Sequence, residues 1–236
     1  MQALKQVAIK NRILGALPDG EFGRIVPHLE PVALQKDQMI YLSGDNIEHV
    51  YLPESGILSL LSITETGSTI EVAMVGKEGV VGLPVVLNNN EIPYEVSVRF
   101  PTNAYKIRAE IFKEEFSACQ TLQETVLRYL NFLITQIAQS SICNRFHSLE
   151  ETLSRWLLTV HDHADTDTLQ LTQQVISDAL GVPRTGVTVA AGSLQRGGAI
   201  RYSRGKIVIL DRSRLESTSC ECYRIIREEL RHFLNQ

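Results

Sequence analysis

Residues 171–210 decide the fold of this chain, and they read LTQQVISDALGVPRTGVTVAAGSLQRGGAIRYSRGKIVIL. Thr172 can cap the first turn of a helix, because its hydroxyl can accept a hydrogen bond from a free backbone amide. Gly181 stands where a left-handed residue ends a helix, and Pro183 suits the start of a second helix. The stretch therefore predicts two short helices joined by a tight turn. Their inward faces should hold Val175, Ile176, Ala179 and Leu180 in the first helix and Val187, Ala190, Ala191 and Leu194 in the second.

The end of the same stretch predicts a two-stranded wing. Gly197 and Gly198 end the second helix, and short apolar strands follow at residues 200–202 and 207–210. Five basic residues and no acidic one lie between Arg184 and Lys206, although the whole chain of 236 residues has a net charge of −4. Positive charge is concentrated where phosphates would lie, so the pattern predicts binding to duplex DNA.

Composition bounds the rest of the organisation. A chain of 236 residues with 44% hydrophobic content can bury two modest cores, so we expect two domains. No segment approaches the roughly 20 continuous apolar residues of a membrane span, and residues 1–10 lack the apolar block of a secretory signal. We therefore expect a cytoplasmic protein without a membrane partner. Scattered cysteines do not make a disulfide framework, so we expect reduced thiols at Cys119, Cys143, Cys220 and Cys222.

The N-terminal half has the texture of a β-barrel. Residues 11–29 predict one or two short helices, with a turn at Pro18, Asp19 and Gly20. From Val32 onward, short apolar runs alternate with turn residues, and this spacing predicts a sandwich or jelly-roll barrel. The runs lie at residues 39–42, 50–52, 57–63, 70–75, 94–100 and 104–107.

Helical periodicity then extends from about Glu110 to about Asn144. Apolar side chains recur within it at alternating steps of three and four, the spacing of a two-stranded coiled coil. A helix of about 25 residues is longer than a small barrel can cover, so we expect part of this face to contact a second subunit. The alternative is that the whole stripe packs on its own barrel. The predicted dimerisation residues are Leu122, Val126, Leu130, Leu133 and Ile137, with Tyr129 as an alternative to Leu130. A further helix is expected over residues 144–163.

With these pieces in order, the sequence resembles the Crp/Fnr family of bacterial transcription regulators over essentially its whole length. Gly44-Asp45 after residues 40–42, and residues 50–52 with Gly56, look like the strand and turn signatures of that family's cyclic-nucleotide-binding-type β-roll. Residues 171–210 are similar to its winged helix. The resemblance implies an α+β fold with a jelly-roll sensor domain with N-terminal helices (1–109), a central dimerisation helix (110–143) and a winged helix-turn-helix domain (144–236).

The resemblance also implies a homodimer that binds a roughly palindromic operator and regulates transcription, with RNA polymerase as a further partner. Arg184 is the candidate for direct base contact, because an arginine near the start of such a helix can grip guanine N7 and O6. Val189 stands where the family often has a second base-reading arginine, so the operator should differ from that of the cyclic-AMP receptor. The expected DNA contacts are Thr172, Gln173, Arg184, Thr185, Thr188, Arg204 and Lys206.

The ligand site departs from the family pattern. Gly82 matches the glycine of the Gly-Glu pair in members that bind cyclic AMP, but Leu83 stands in the acidic position. The pair that would grip the cyclic phosphate falls near Tyr94 and Glu95, where a carboxylate disfavours an anion. We therefore expect an unknown small-molecule effector other than a cyclic nucleotide. Its expected pocket comprises Val80, Val81, Gly82, Leu83 and Arg99, although a strand arginine such as Arg99 more often faces solvent.

Other chemistries are weaker. An iron–sulfur cluster bound by N-terminal cysteines is excluded, because no cysteine precedes Cys119. Cys220-Glu-Cys222 is a candidate redox or metal pair, but further zinc ligands have no obvious source nearby, so no metal and no cofactor are predicted. A second cluster could chelate a divalent ion, although exposed turn composition explains it as well. It comprises His161, Asp162, His163, Asp165 and Asp167.

The rival from another class is a cupin-like metal-dependent enzyme, or a ligand-binding protein that does not use DNA. Such an enzyme shares the jelly-roll texture but needs histidines close together on barrel strands. Only His28 and His49 precede the central helix, and His28 lies before the barrel. We therefore expect no enzymatic activity.

Overall fold

The computed structural model describes residues 9–164 and 166–235, which form two compact units. The first unit holds the described residues up to Leu60, Met74–Leu133 and the chain end from Phe233; the second holds Leu61–Ala73 and Ile134–His232. The domain boundaries near residues 109 and 143 stay predictions. Residues 1–8, most of the segment in which no secretory signal is expected, lie outside the described residues.

Two short helices open the first unit, as the sequence predicts. They are α1 (Arg12–Gly15) and α2 (Asp19–Ile25), and a 3₁₀ turn at Val26–His28 follows. Asn11 caps α1, because its side-chain oxygen accepts hydrogen bonds from the backbone amides of Ile13 and Leu14 at 3.2 Å each. The side-chain amide of Asn11 donates to the carbonyls of Pro53 and Gly79 at 2.9 Å each, which fastens the helix to the barrel.

The barrel consists of two antiparallel sheets. Its strands are β1 (Glu30–Leu34), β2 (Met39–Tyr41), β3 (His49–Pro53), β4 (Ile57–Ile63), β5 (Thr69–Val75), β6 (Glu95–Phe100) and β7 (Thr102–Arg108). One has the strand order β1-β7-β3 and the other the order β2-β6-β4-β5. In the first sheet Val32 pairs with Ala104, and Tyr51 pairs with Lys106. The predicted jelly-roll class is confirmed, although β1 was not expected as a separate strand.

The central helical region is interrupted, contrary to the expectation of one helix from residue 110 to residue 144. It forms α3 (Ala109–Ala118) and α4 (Gln120–Phe146), with an extended residue, Cys119, between them. The carboxylate of Glu21 accepts hydrogen bonds from the backbone amides of Thr121 and Leu122, both at 3.0 Å. A helix can begin at Gln120 because α2 supplies partners for its otherwise free amides.

The second unit contains the helix-turn-helix and the wing. Its helix α5 begins with a capping box, in which Ser148 and Glu151 satisfy each other's backbone amides. Strand β8 joins the predicted wing to give the sheet order β8-β10-β9. Strand β8 and the two C-terminal helices were not predicted. The elements are α5 (Leu149–His163), β8 (Thr168–Leu169), α6 (Gln173–Leu180), α7 (Arg184–Arg196), β9 (Ile200–Ser203), β10 (Lys206–Ile209), α8 (Arg212–Thr218) and α9 (Glu221–Leu234).

The tip of the β4–β5 hairpin also belongs to the second unit. The indole N–H of Trp156 donates to a carboxylate oxygen of Glu71 at 2.6 Å, and both side chains are buried. The hydroxyl of Thr69 donates to the carbonyl of Asp178 at 3.3 Å. The hairpin tip thus packs against α5 and against α6, the first helix of the helix-turn-helix. Among the described helices, none is both long enough and apolar enough to pass through a lipid bilayer.

Candidate nucleic-acid interface

The first helix of the helix-turn-helix forms as predicted. The hydroxyl of Thr172 accepts a hydrogen bond from the backbone amide of Val175 at 3.2 Å, which caps α6. Gly181 ends the helix at a φ of 64°, a left-handed conformation that glycine adopts without a steric penalty. Ile176, Ala179 and Leu180 are buried, whereas Val175 is half-buried.

The second helix presents the predicted polar face. Pro183 is extended and precedes the helix, so Arg184 is the first residue of α7. The predicted inward residues Val187, Ala190, Ala191 and Leu194 are all buried. Arg184, Thr185 and Thr188 are exposed, and the hydroxyl of Thr188 donates to the carbonyl of Arg184 at 2.9 Å. Because its proton is used within the helix, Thr188 presents its methyl group and an acceptor oxygen at the surface.

The wing is held close to the end of this helix. Arg204 and Gly205 join β9 to β10 with φ values of 49° and 77°, so both adopt the left-handed conformation of a tight hairpin turn. The side-chain oxygen of Gln195 accepts a hydrogen bond from the backbone amide of Tyr202 at 2.7 Å. The recognition helix and the wing are therefore joined directly.

The wing and the helix-turn-helix enclose an open groove of about 630 Å³. Four of the predicted contact residues, Thr172, Gln173, Arg184 and Arg204, line this groove together. Thr185, Thr188 and Lys206 are exposed on α7 and β10. Gln174 and Tyr202 also line the groove but were not predicted. Their only signals in the sequence were their positions on the same helix as Gln173 and on the strand before Arg204. The full lining is Thr172, Gln173, Gln174, Arg184, Tyr202, Ser203, Arg204 and Gly205.

This face is electropositive. Arg184 and Arg204 line the groove, and three further exposed cations lie on α7, β9 and β10, namely Arg196, Arg201 and Lys206. Val189 is also 70% exposed on α7, so its methyl groups are part of the surface of this helix. Cations surrounding an apolar and hydroxyl-bearing helix face suit phosphates at the edge and base edges at the centre.

The predicted effector residues are all buried. Val80, Val81 and Leu83 are buried, and Gly82 has a φ of 103°. Arg99 was predicted to line the pocket, with a solvent-facing position as the alternative, and the alternative is wrong, because the residue is only 8% exposed. Its Nε donates to the hydroxyl of Ser59 at 3.2 Å, since β6 is an inner strand of its sheet and lies next to β4.

The predicted dimerisation residues divide into two groups. Leu122, Val126 and Leu133 are buried in the core of the chain itself, as is Tyr129, so their assignment to a subunit interface needs correction. Leu130 is half-buried and Ile137 is exposed. Leu122, Val126 and Leu133 follow the coiled-coil spacing, but they lie on the face of α4 that packs on the barrel. The apolar stripe that reaches the surface of α4 comprises Leu127, Leu130, Ile134 and Ile137, again at steps of three and four.

The cluster near His161 is an ion-pair network. The two ring nitrogens of His161 lie 2.7 Å from Asp167 and 2.7 Å from the guanidinium of Arg212. Arg212 also donates to Asp162 at 2.6 Å. Both histidine nitrogens are thus engaged, and a cation stands where an ion would have to bind. Asp165, the remaining acidic member, lies outside the described residues.

A different group of side chains could hold a metal. Cys143, His147, Cys220 and Cys222 place their ligand atoms within 4.8 Å of one another. The expectation that Cys220 and Cys222 lack further ligands nearby is therefore wrong, because the end of α4 supplies one and the residue after it supplies another. A hydrogen bond from Cys220 and the charge of Arg155 hold the pKa of Cys143 below its ordinary value. The same hydrogen bond and burial raise the pKa of Cys220, and burial raises the pKa of Cys222 to about 11.

Two family models match the chain, each on one of its predicted functional regions. The model of the cyclic nucleotide-binding domain matches residues 31–119, and that of the Crp-like helix-turn-helix domain matches residues 151–218. The global nitrogen regulator of Synechococcus elongatus is 23% identical over 214 residues, which cover 87% of this chain and 96% of the relative. Regulatory protein HlyX of Actinobacillus pleuropneumoniae is 22% identical over 206 residues, or 81% of each chain.

Solved structures agree with this fold. FixK2 from Bradyrhizobium japonicum superposes with a TM-score of 0.70 at 16% identity, covering 81% of this chain and 98% of its own. A transcriptional regulator of the CRP/FNR family from Thermus thermophilus gives a TM-score of 0.68 at 19% identity, with coverages of 80% and 98%. At these identities the likeness concerns the fold, a β-barrel domain and a winged helix-turn-helix in one chain.

Proposed function

This chain belongs to the Crp/Fnr family of DNA-binding transcription regulators, and from this premise we propose that it acts as a homodimer on a roughly palindromic operator. Its family consists of regulators and not of enzymes. The observation that carries the proposal is the electropositive groove, in which Thr172, Arg184 and Arg204 converge beside the exposed face of α7. RNA polymerase is a further partner in this proposal.

In the proposed complex α7 enters the major groove and the wing follows the phosphate backbone. Arg184 grips a guanine with two hydrogen bonds, while Thr185, Thr188 and Val189 contact base edges or thymine methyl groups. Thr172, Gln173, Arg204 and Lys206 contact phosphates and fix the register. This division of roles is supported by position, because Arg184 begins the helix whereas Arg204 lies in the wing turn.

We propose that α4 joins the two subunits through its exposed apolar stripe. Ile134 is 56% exposed and Ile137 is 37% exposed, and with Leu127 and Leu130 they follow the spacing of a two-stranded coiled coil. Covering this stripe would remove apolar surface from water, which favours association. A symmetric dimer would place the centres of two operator half-sites about 34 Å apart.

The proposed effector is a small molecule other than a cyclic nucleotide. By resemblance, Leu83, which is buried, corresponds to the acidic residue that binds a ribose in other members. Burial raises the pKa of Tyr94 to about 12, so this phenol stays neutral beside Glu95. Tyr94 and Glu95 offer no positive charge for a cyclic phosphate, and the Nε of the buried Arg99 already donates to Ser59. Calorimetric titration with cyclic AMP should therefore show no tight binding, and micromolar affinity would contradict the proposal.

Selection of bound fragments from random DNA tests the proposed function most directly. The full-length protein is mixed with a random duplex library, and bound fragments are recovered and sequenced over several rounds. We expect an inverted repeat with half-sites one helical turn apart. Enrichment of an unrepeated site, or no enrichment at all, would contradict dimeric recognition. Sedimentation of the free protein provides an independent check, because a monomer at working concentration also opposes it.

A further inference from the structure

Three cysteines and one histidine meet where the end of α4 reaches the C-terminal helices. Cys143 and His147 lie one helical turn apart, and Cys220 and Cys222 flank the first residue of α9. The Sγ atoms of Cys143 and Cys220 are 3.4 Å apart, and Sγ of Cys222 lies 3.7 Å from Nδ1 of His147. The three cysteines are buried and His147 is mostly buried.

We propose that these four side chains form a Cys3His site for one tetrahedral Zn²⁺ ion. Zinc binds thiolate sulfur at about 2.3 Å and imidazole nitrogen at about 2.0 Å, so a tetrahedral ion holds its ligand atoms roughly 3.5 to 3.8 Å apart. The separations of 3.4 and 3.7 Å agree with that spacing. The other separations are at most 4.8 Å, so small side-chain adjustments would bring all four donors to one ion.

The surroundings of His147 support the assignment. Its Nε2 lies 3.3 Å from a carboxylate oxygen of Glu221, while Nδ1 faces the sulfurs. A carboxylate on the far nitrogen fixes the tautomer and turns the lone pair of the other nitrogen towards a metal, which is the usual arrangement around zinc-bound histidine. The tripeptide Cys220-Glu221-Cys222 thus supplies two thiolates and the residue that orients the imidazole.

The donor set and its compactness favour a single zinc ion over other metals. Thiolates with an imidazole suit zinc or iron–sulfur chemistry, whereas hard cations prefer oxygen ligands. A multinuclear iron–sulfur cluster must spread its protein ligands around several metal atoms, but here all four ligand atoms lie within 4.8 Å of one another. Four protein ligands fill a tetrahedral site and leave no open position, so the role is structural.

The proposed ion would close a long loop of chain. Cys143 and Cys220 are 77 residues apart, and the helix-turn-helix and the wing lie between them. A metal bond across such a loop limits the freedom of the unfolded chain and so stabilises the fold of the intervening segment. The inference goes beyond DNA binding, because the site lies apart from the residues that line the groove.

Metal analysis of the full-length protein tests the site. Protein purified under reducing conditions without chelators should contain about one zinc per chain. Its X-ray absorption spectrum should fit three sulfurs at about 2.3 Å and one nitrogen at about 2.0 Å. After exchange, Co²⁺ alone should give the intense visible bands of a tetrahedral thiolate site. An oxygen-rich shell, iron with inorganic sulfide, or no binding of Zn²⁺ or Co²⁺ by reduced protein would overturn the proposal.

Substitutions separate ligation from general folding effects. Cys143→Ser and His147→Gln should each abolish tight retention of zinc, while Cys119→Ser should retain it. Cys119 is a matched control, since it is also a buried, free cysteine but belongs to the first unit. Glu221→Gln should weaken zinc affinity about 10- to 100-fold and leave the stoichiometry unchanged. Equal loss in Cys119→Ser and the ligand variants would overturn the assignment, and the absorption spectrum of the unsubstituted protein stands even if a variant fails to fold.

Discussion

Replacing Arg184 by alanine should reduce the preference of the protein for its operator over random DNA. Arg184 is exposed at the start of α7 and lines the groove beside Thr172. An arginine at this position can reach a guanine, whereas Arg204 lies in the wing turn and is proposed to contact a phosphate. The two arginines therefore give a matched pair, because Arg184→Ala and Arg204→Ala remove the same charge from different parts of one groove.

The two substitutions should change different measured quantities, the binding free energy in one case and the salt dependence of binding in the other. A bidentate contact to guanine contributes about 1 to 3 kcal/mol, which is about 5- to 150-fold in affinity for each half-site. Two half-sites about 34 Å apart should respond independently, so a dimer would lose about 2 to 6 kcal/mol on its operator. A phosphate contact instead changes the slope of log K against log salt by about 0.9, or about 1.8 for a symmetric dimer.

Fluorescence anisotropy distinguishes the two roles. The operator obtained by selection and a shuffled duplex of equal length are titrated at several salt concentrations. Arg184→Ala should lower the ratio of operator to shuffled affinity, with a smaller change on shuffled DNA. Arg204→Ala should weaken both duplexes similarly and reduce both salt slopes. Equal losses of Arg184→Ala on the two duplexes would refute the base-reading role and assign Arg184 to phosphate.

Three further outcomes follow from packing. Gly181→Ala should lower the free energy of unfolding by about 1 to 2 kcal/mol in urea titrations, because the φ of 64° strains a side chain and the new Cβ would lie 3.2 Å from Ile70. Unchanged stability would contradict this prediction. Gly20→Ala, which has open space around the new Cβ, is the control. Glu71→Ala should lower the free energy of unfolding by about 1 to 3 kcal/mol in the same assay, since the buried indole N–H of Trp156 loses its acceptor at 2.6 Å. Glu65→Ala alters an exposed residue of the same hairpin and is the control; a smaller loss of stability in Glu71→Ala than in this control would contradict the prediction. Ile134→Glu should convert the proposed dimer to a monomer, as measured by sedimentation. Leu210→Glu should not do so, because Leu210 is a similarly exposed apolar residue that lies outside α4. If Ile134→Glu remained a dimer, the exposed stripe would be excluded as the interface.

The helix-turn-helix and the wing were predictable because their signals are local. Thr172 caps the helix that it precedes, Gly181 ends it, and Arg204-Gly205 forms the turn that its neighbours require. The same holds for the barrel strands, whose apolar runs and turn residues alternate along the chain. Contacts within a few residues determine these elements, so one sequence suffices to locate them.

Features that depend on distant residues were missed. No glycine or proline marks the break at Cys119, because Glu21, about a hundred positions away, satisfies the amides of the next helix. The burial of Arg99 depends on which strands flank β6, and spacing alone does not reveal that order. The metal ligands could be found only in part, since His147 follows Cys143 by one turn but Cys220 lies 77 residues away.

Trp156 is the single tryptophan of the chain, and its indole ring meets Glu71 at the tip of the β4–β5 hairpin. Excitation at the long-wavelength edge of the protein absorption band selects tryptophan, so the fluorescence comes from one known place. That place is the contact between the hairpin tip and α5. Any ligand or operator that moves the hairpin relative to α5 will alter the colour or intensity of this intrinsic fluorophore. The protein thus carries its own label for screening candidate effectors.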